Sequence, residues 1–287
     1  MSSENAYYVP HDAKWPIIGS IGLMLFFGGF AAQLNNTPSA SIVTMVGFLV
    51  LVYMMFGWFG EVINESESGA YKSSEDASFR VGMIWFIFSE VMFFAAFFGA
   101  LFYIRNFSVP WLGGDGSGAI TNEYIWNGFE AMWPTNGPGE VGGQYEKMGA
   151  WGLPAINTLL LLSSGVTLTW AHWGLIANKR KQLIFGLILT VVLGIVFVGL
   201  QALEYSHGYH DLNLTMGTGV YGSTFYMLTG FHGFHVTVGA IMLTVMLVRS
   251  IKGHFTPENH FAFEATAWYW HFVDVVWLGL FVFVYWL

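Results

Sequence analysis

The stretch FSEVMFFAAFFG, Phe88 to Gly99, carries one carboxylate, Glu90, in a run of aromatic, alanine and glycine residues that belongs in lipid. On a helix its neighbours three, four and seven positions away include Met83, Phe86, Ile87, Phe93, Phe94 and Phe97, and none is a cation. Arg80, the nearest cation upstream, is about 15 Å away along a helix, so a local salt bridge is excluded. Three states stay open for Glu90: a pairing across helices, a neutral protonated carboxyl, or exposure to a polar crevice filled by water or lipid headgroups. We expect a mostly protonated group that shapes a lipid site and does not relay protons.

Other ionisable residues also fall in apolar stretches. Burial there is costly enough to make each a functional candidate by default. His232 and His235 in FHGFH lie three apart, as do His271 and Asp274 in WYWHFVDVVW, with His172, Glu204 and Arg249 near span ends. Imidazole and carboxylate suit Fe, Zn or Cu, so the two pairs could in principle meet as a metal site. The simpler role is structural, each group satisfying its neighbour one turn away or a hydroxyl or carbonyl on an adjacent helix.

The elements that must hold these groups follow from composition. Of 287 residues, 55% are hydrophobic and 10% charged, whereas soluble domains carry about 25% charged residues. An all-α integral membrane protein is implied. Seven stretches reach the roughly 20 apolar residues a transmembrane helix needs: 15–34, 40–60, 81–104, 151–173, 182–203, 221–248 and 265–287. The start has no basic segment followed by a short apolar core, so no cleaved signal peptide is expected. Lys14, Lys72, Arg80, Lys179, Arg180, Lys181, Arg249 and Lys252 fall on one side of the resulting topology, leaving Arg105 and Lys147 on the other. That bias puts the N-terminus in the cytoplasm and the C-terminus outside. The net charge of −8 argues against nucleic acid, and the lack of cysteine excludes disulfides and thiolate chemistry.

NNTPS, Asn35 to Ser39, permits only a hairpin turn, and ESESGAYKSSEDAS, Glu65 to Ser78, has linker composition. The expected organisation is an N-terminal segment and two-helix hairpin (1–64), a cytoplasmic linker (65–80) and a five-helix bundle (81–287) with a long outer loop at 106–150. Trp58 and other indoles near span ends suit the headgroup layer. Arg249 and Lys252 suit an anionic lipid phosphate.

The strings HDAKWP, FRVGMIWFIFSEVMFF, LPAINTLLLLSSGVTLTWAHW, LQALEY, GVYGSTFYMLTGFHGFHV and HFAFEATAWYWHFVDVVWLGLFVFVYW resemble the cytochrome c oxidase subunit III family, across all seven spans. The resemblance implies two helices splayed from five, in a two-plus-five arrangement with a V-shaped cleft holding phospholipids. It implies a non-catalytic subunit of a proton-pumping aa3-type oxidase that binds no cofactor itself. Haem and copper would reside in partner subunits I and II, with cytochrome c as donor and a respiratory supercomplex as wider assembly. The subunit would support proton uptake and protect the catalytic subunit during turnover. His232, His235, His271 and Asp274 match structural positions of the family, Glu90 its buried carboxyl near the cleft, and Arg80 and Arg249 its cations near lipid phosphates. Trp58 is grouped with this lipid-facing set.

The chain departs from the pattern at Gly60, where relatives commonly carry a basic residue, and in the length of its outer loop. The latter favours a bacterial inner-membrane protein with extra periplasmic contacts. The competing readings are subunit III of a quinol oxidase, a transporter relaying protons through Glu90 and Asp274, and a metalloenzyme built on the His pairs.

Overall fold

The computed structural model describes Tyr8 and residues 13–287. His11 and Asp12 of the HDAKWP string lie outside the described residues. Among the described residues every regular element is helical: α1 (Trp15–Leu34), α2 (Ala40–Glu67), α3 (Ser73–Tyr103), a π-helical turn (Ile104–Ser108), α4 (Val109–Leu112), a 3₁₀ turn (Gly116–Gly118), α5 (Ala119–Tyr124), α6 (Leu153–Ile176), α7 (Arg180–His210), α8 (Gly219–Lys252), α9 (Phe261–Leu280) and a second π-helical turn (Phe281–Trp286). Seven helices among the described residues are long and apolar enough to cross a membrane, and the protein is an all-α, multi-pass membrane protein. The chain forms two compact units, Met1–Val81 and Gly82–Leu287, whose boundary falls inside α3.

Several helices outrun their apolar stretches. ESESGAYKSSEDAS is mostly helix, interrupted only at 68–72, because its polar groups satisfy both helix ends. The Ser68 hydroxyl donates to the Glu65 carbonyl at 2.9 Å, and Gly69, at φ +74°, makes the left-handed turn that glycine adopts at low cost. Buried Glu75 then accepts the Lys72 amide at 3.0 Å and the Ser74 hydroxyl at 2.7 Å, placing negative charge at the start of α3 where the helix dipole favours it.

In the first unit α1 and α2 approach closely. An ideal Cβ at Gly47 would lie 2.7 Å from Phe26 Cα, so only glycine fits. The Trp15 indole donates to Glu61. The hydroxyls of Tyr8 and Tyr71 donate to Glu65 at 2.9 and 2.5 Å. The Glu65 bond pushes the Tyr8 phenol pKa up, and burial followed by the same bond does so for Tyr71.

In the second unit α6, α7, α8 and α9 form a closed ring of neighbours around Leu161, Leu168, Leu187, Phe197, Val236, Leu243, Trp270 and Trp277, all wholly buried. Trp270 locks three helices. Its indole donates to Ser164 of α6 at 2.8 Å, and its ring lies 2.7 Å from an ideal Cβ at Gly194 of α7 and 2.8 Å from one at Gly239 of α8. The Trp277 indole likewise donates to Thr158 at 2.9 Å. The α3 segment joins α8 and α9 through aromatic rings, with Phe93 on Phe231 (4.9 Å between centroids), Phe94 on Phe272 (6.0 Å) and Phe86 stacked on Tyr269 (6.2 Å).

The 106–150 connection is ordered by asparagine amides. Asn122 donates to the Leu112 carbonyl at 2.9 Å, and Asn213, from the α7–α8 connection, donates to that of Gln144 at 2.7 Å. Tyr145 stacks on Tyr221 at 5.7 Å, and burial pushes its phenol pKa up.

Candidate functional site

Glu90 finds its partner across helices. Its Oε2 lies 2.9 Å from Nε2 of His235, with the carboxylate side chain 22% and the imidazole 9% exposed. The opposite ring nitrogen of His235, Nδ1, lies 2.6 Å from the Phe231 carbonyl one turn back. A carbonyl only accepts, so Nδ1 carries a proton. The Nε2 to Oε2 bond therefore contains one further proton, on the imidazole or on the carboxyl, and in both cases the pair has zero net charge. This removes the objection to a carboxylate in lipid, since an ion pair or a neutral acid bonded to an imidazole avoids an isolated charge. The site is an aromatic enclosure: the His235 ring lies 5.1 Å from Phe94, 6.0 Å from Phe93, 6.3 Å from Tyr269 and 6.4 Å from Phe272.

The other intramembrane groups do not join it. His232, wholly buried, donates from Nε2 to the Val273 carbonyl at 3.2 Å and packs on Trp277 at 5.0 Å. His271 Nδ1 meets Asp274 at 3.2 Å and its Nε2 meets Thr169 of α6 at 3.3 Å, while the Asp274 carboxylate lies against Gly165. The side chains of the two pairs thus do not converge on one point: His232 turns to the Val273 carbonyl, His235 to Glu90, and His271 to Asp274 and Thr169. No cluster of three or more His, Asp or Glu suited to a metal occurs among the described residues.

The cations expected near lipid phosphates lie elsewhere on the chain. Arg80 bonds Asp76 through Nε at 2.8 Å, one turn back on α3. Arg249 is 6% exposed and stacks over Phe255, 4.6 Å from the ring centre, while Lys252 is exposed at the end of α8. Trp58 is half exposed and stacked on Phe59 at 6.3 Å. The ring of His172 lies 5.5 Å from that of His260. Two features escape sequence reasoning. Arg180 donates to the Ile251 carbonyl and so caps α8. Glu204, a candidate in the sequence by its place near a span end, accepts the Tyr285 hydroxyl at 2.5 Å, a partner that nothing in the sequence signals.

Comparison with known proteins gives the family. The family model described as cytochrome c oxidase subunit III matches residues 5–115 and 126–287. Curated relatives called cytochrome c oxidase subunit 3 include that of Marchantia polymorpha, 40% identical over 287 residues and covering 100% of this chain and 98% of the relative. Those of Arabidopsis thaliana (38% identical, 99% of this chain and 97% of the relative) and Formosania lacustris (40% identical, 98% and 97%) are similar in extent. On the strength of a match that spans all seven helices, the chain belongs to the cytochrome c oxidase subunit III family.

Proposed function

We propose that this chain is the non-catalytic subunit III of a proton-pumping aa3-type cytochrome c oxidase. It would bind phospholipids, stabilise the catalytic subunit and support its proton uptake. The observation that supports this reading best is the Glu90–His235 pair, a charge-neutral hydrogen bond inside an aromatic enclosure. Such a pair places polarity in the bilayer without the cost of a lone charge. Subunits I and II carry the haem and copper and cytochrome c donates electrons to the assembly, which lies in a bacterial cytoplasmic membrane with the N-terminus of this chain inside.

On this reading the hairpin 1–64, the 65–80 connection and the 81–287 bundle act as separate parts, and the chain binds phospholipid. Arg80, Arg249, Lys252 and Trp58 would serve lipid headgroups, and Glu90 would shape a lipid site. His232, His235, His271 and Asp274 would be structural.

The test is the visible spectrum and metal content of the natively purified assembly before and after this subunit is stripped away. The expected result is retention of all haem and copper by the remaining subunits and none on the isolated chain. Stoichiometric haem iron or copper on the isolated chain would overturn the reading. Oxidation of reduced cytochrome c by the assembly, compared with quinol, identifies the donor.

A further inference from the structure

The 106–150 connection holds both Asn–Gly pairs of the chain, Asn127–Gly128 and Asn136–Gly137. Asparagine before glycine is chemically labile, because the glycine amide nitrogen can attack the asparagine side-chain carbonyl carbon and no Cβ crowds the ring that forms. The fold treats the two pairs differently. Asn136 is half-buried, and its side-chain amide donates to the Val141 carbonyl at 3.2 Å and to the Gly143 carbonyl at 3.0 Å. The Gly137 amide donates to the Thr135 hydroxyl oxygen at 3.0 Å, and the Asn136 backbone packs against Gly219 at the start of α8. Electrophile and nucleophile are both held in place.

At Asn127 neither is held. The Phe129 amide donates to the Trp126 carbonyl at 3.0 Å, closing a four-residue turn with Gly128 at φ +90° in its third position. Asn127 and Gly128 are exposed at its tip, in the connection between two membrane-spanning helices and outside both. Neither the Asn127 side-chain amide nor the Gly128 backbone amide bonds a described residue. An ideal Cβ at Gly128 meets nothing within 4 Å, so the tip has room to rearrange. We propose that Asn127 is a site of spontaneous deamidation, and that the fold protects Asn136 from the same reaction. Hydroxide from solvent takes the Gly128 amide proton, the nitrogen bonds to Asn127 Cγ, the Cγ–Nδ2 bond breaks, and ammonia leaves with a proton from water. Water then opens the resulting succinimide at either carbonyl, leaving aspartate or isoaspartate at position 127. Each event adds a negative charge to a stretch, 106–146, that already has five acidic residues and no Lys or Arg. The site shares no residue with the Glu90–His235 pair, and its failure would leave the proposed function untouched.

Peptide mapping of the natively purified assembly after incubation at mildly alkaline pH tests this. Cleavage after glutamate puts the two sites on separate peptides, 124–130 and 131–140, and mass spectrometry reads aspartate and isoaspartate in each. In the folded assembly Asn127 should convert about tenfold or more faster than Asn136, since each hydrogen bond at Asn136–Gly137 must open before the ring can close, at a cost of several-fold in rate. In the chain unfolded in denaturant before incubation, the two rates should come within a few-fold of each other. Asn127→Gln, which cannot close the five-membered ring, should abolish the conversion in 124–130. Equal rates at the two sites in the folded assembly would overturn the proposal, as would an Asn127 that stays intact there while it reacts in the unfolded chain. A tenfold gap that survives unfolding also refutes it, because local sequence and not the fold would then protect Asn136.

Discussion

Glu90 and His235 hold one proton between them, and that sharing sets what substitutions there do. In Glu90→Gln the amide still donates to or accepts from Nε2, so assembly, oxygen reduction and pumping should stay near normal. An oxygen electrode and proton-release traces on reconstituted vesicles check this; loss of pumping in an intact assembly would make Glu90 a proton carrier. A hydrophobic carbodiimide should label the unaltered carboxyl and not the Gln form. His235→Leu is harsher, because it leaves the Glu90 carboxyl without its partner in an apolar enclosure. A cost of about 2 kcal/mol is expected, reduced from the figure for a fully buried pair because Glu90 remains partly exposed. It should appear as faster thermal inactivation of the assembly than in Glu90→Gln.

At the scale of the element, the ring of α6 to α9 depends on Trp270 filling the space that Gly194 and Gly239 leave. Trp270→Ala should cost about 3–5 kcal/mol, the range for truncating a large aromatic in a packed core. Gly239→Val should fail for the opposite reason, since even its Cβ would press within 2.8 Å of the indole. Gly199 on α7, whose ideal Cβ meets nothing within 4 Å, should tolerate alanine, and alanine is the better helix former by about 1 kcal/mol. The amount of each variant recovered in the membrane, and its melting in detergent, separate the three. Residues 116–125, unmatched by the family model, contain the 3₁₀ turn and α5. There Ile120, Tyr124 and Ile125 are exposed while Asn122 ties the segment to the Leu112 carbonyl.

For the whole molecule the prediction concerns orientation. The absence of cysteine makes the chain a clean background for single-cysteine labelling. In right-side-out vesicles a membrane-impermeant maleimide should react with Lys147→Cys and leave Lys181→Cys untouched, since the excess of Lys and Arg lies with residue 181. The reverse pattern would invert the topology.

The sequence by itself determined the number of spans, their order and the all-helical class. Each span satisfies locally the length and apolarity that a bilayer demands, with its backbone bonds closed within the segment. Motif strings then sufficed for the family. Tertiary structure alone decided which buried groups meet: Glu90 with His235, 145 residues apart, Tyr285 with Glu204, 81 apart, and Trp270 with Ser164, 106 apart. The physical reason is rotation and register. When nearly every face of a helix is apolar, hydropathy does not say which face turns inward. Only packing of rings against glycines fixes it, and with it each polar partner. The helix ends at Glu67 and Ser73 escaped the hydropathy pattern for a related reason, because polar helix beyond the lipid is held by specific acceptors such as Glu65 and Glu75.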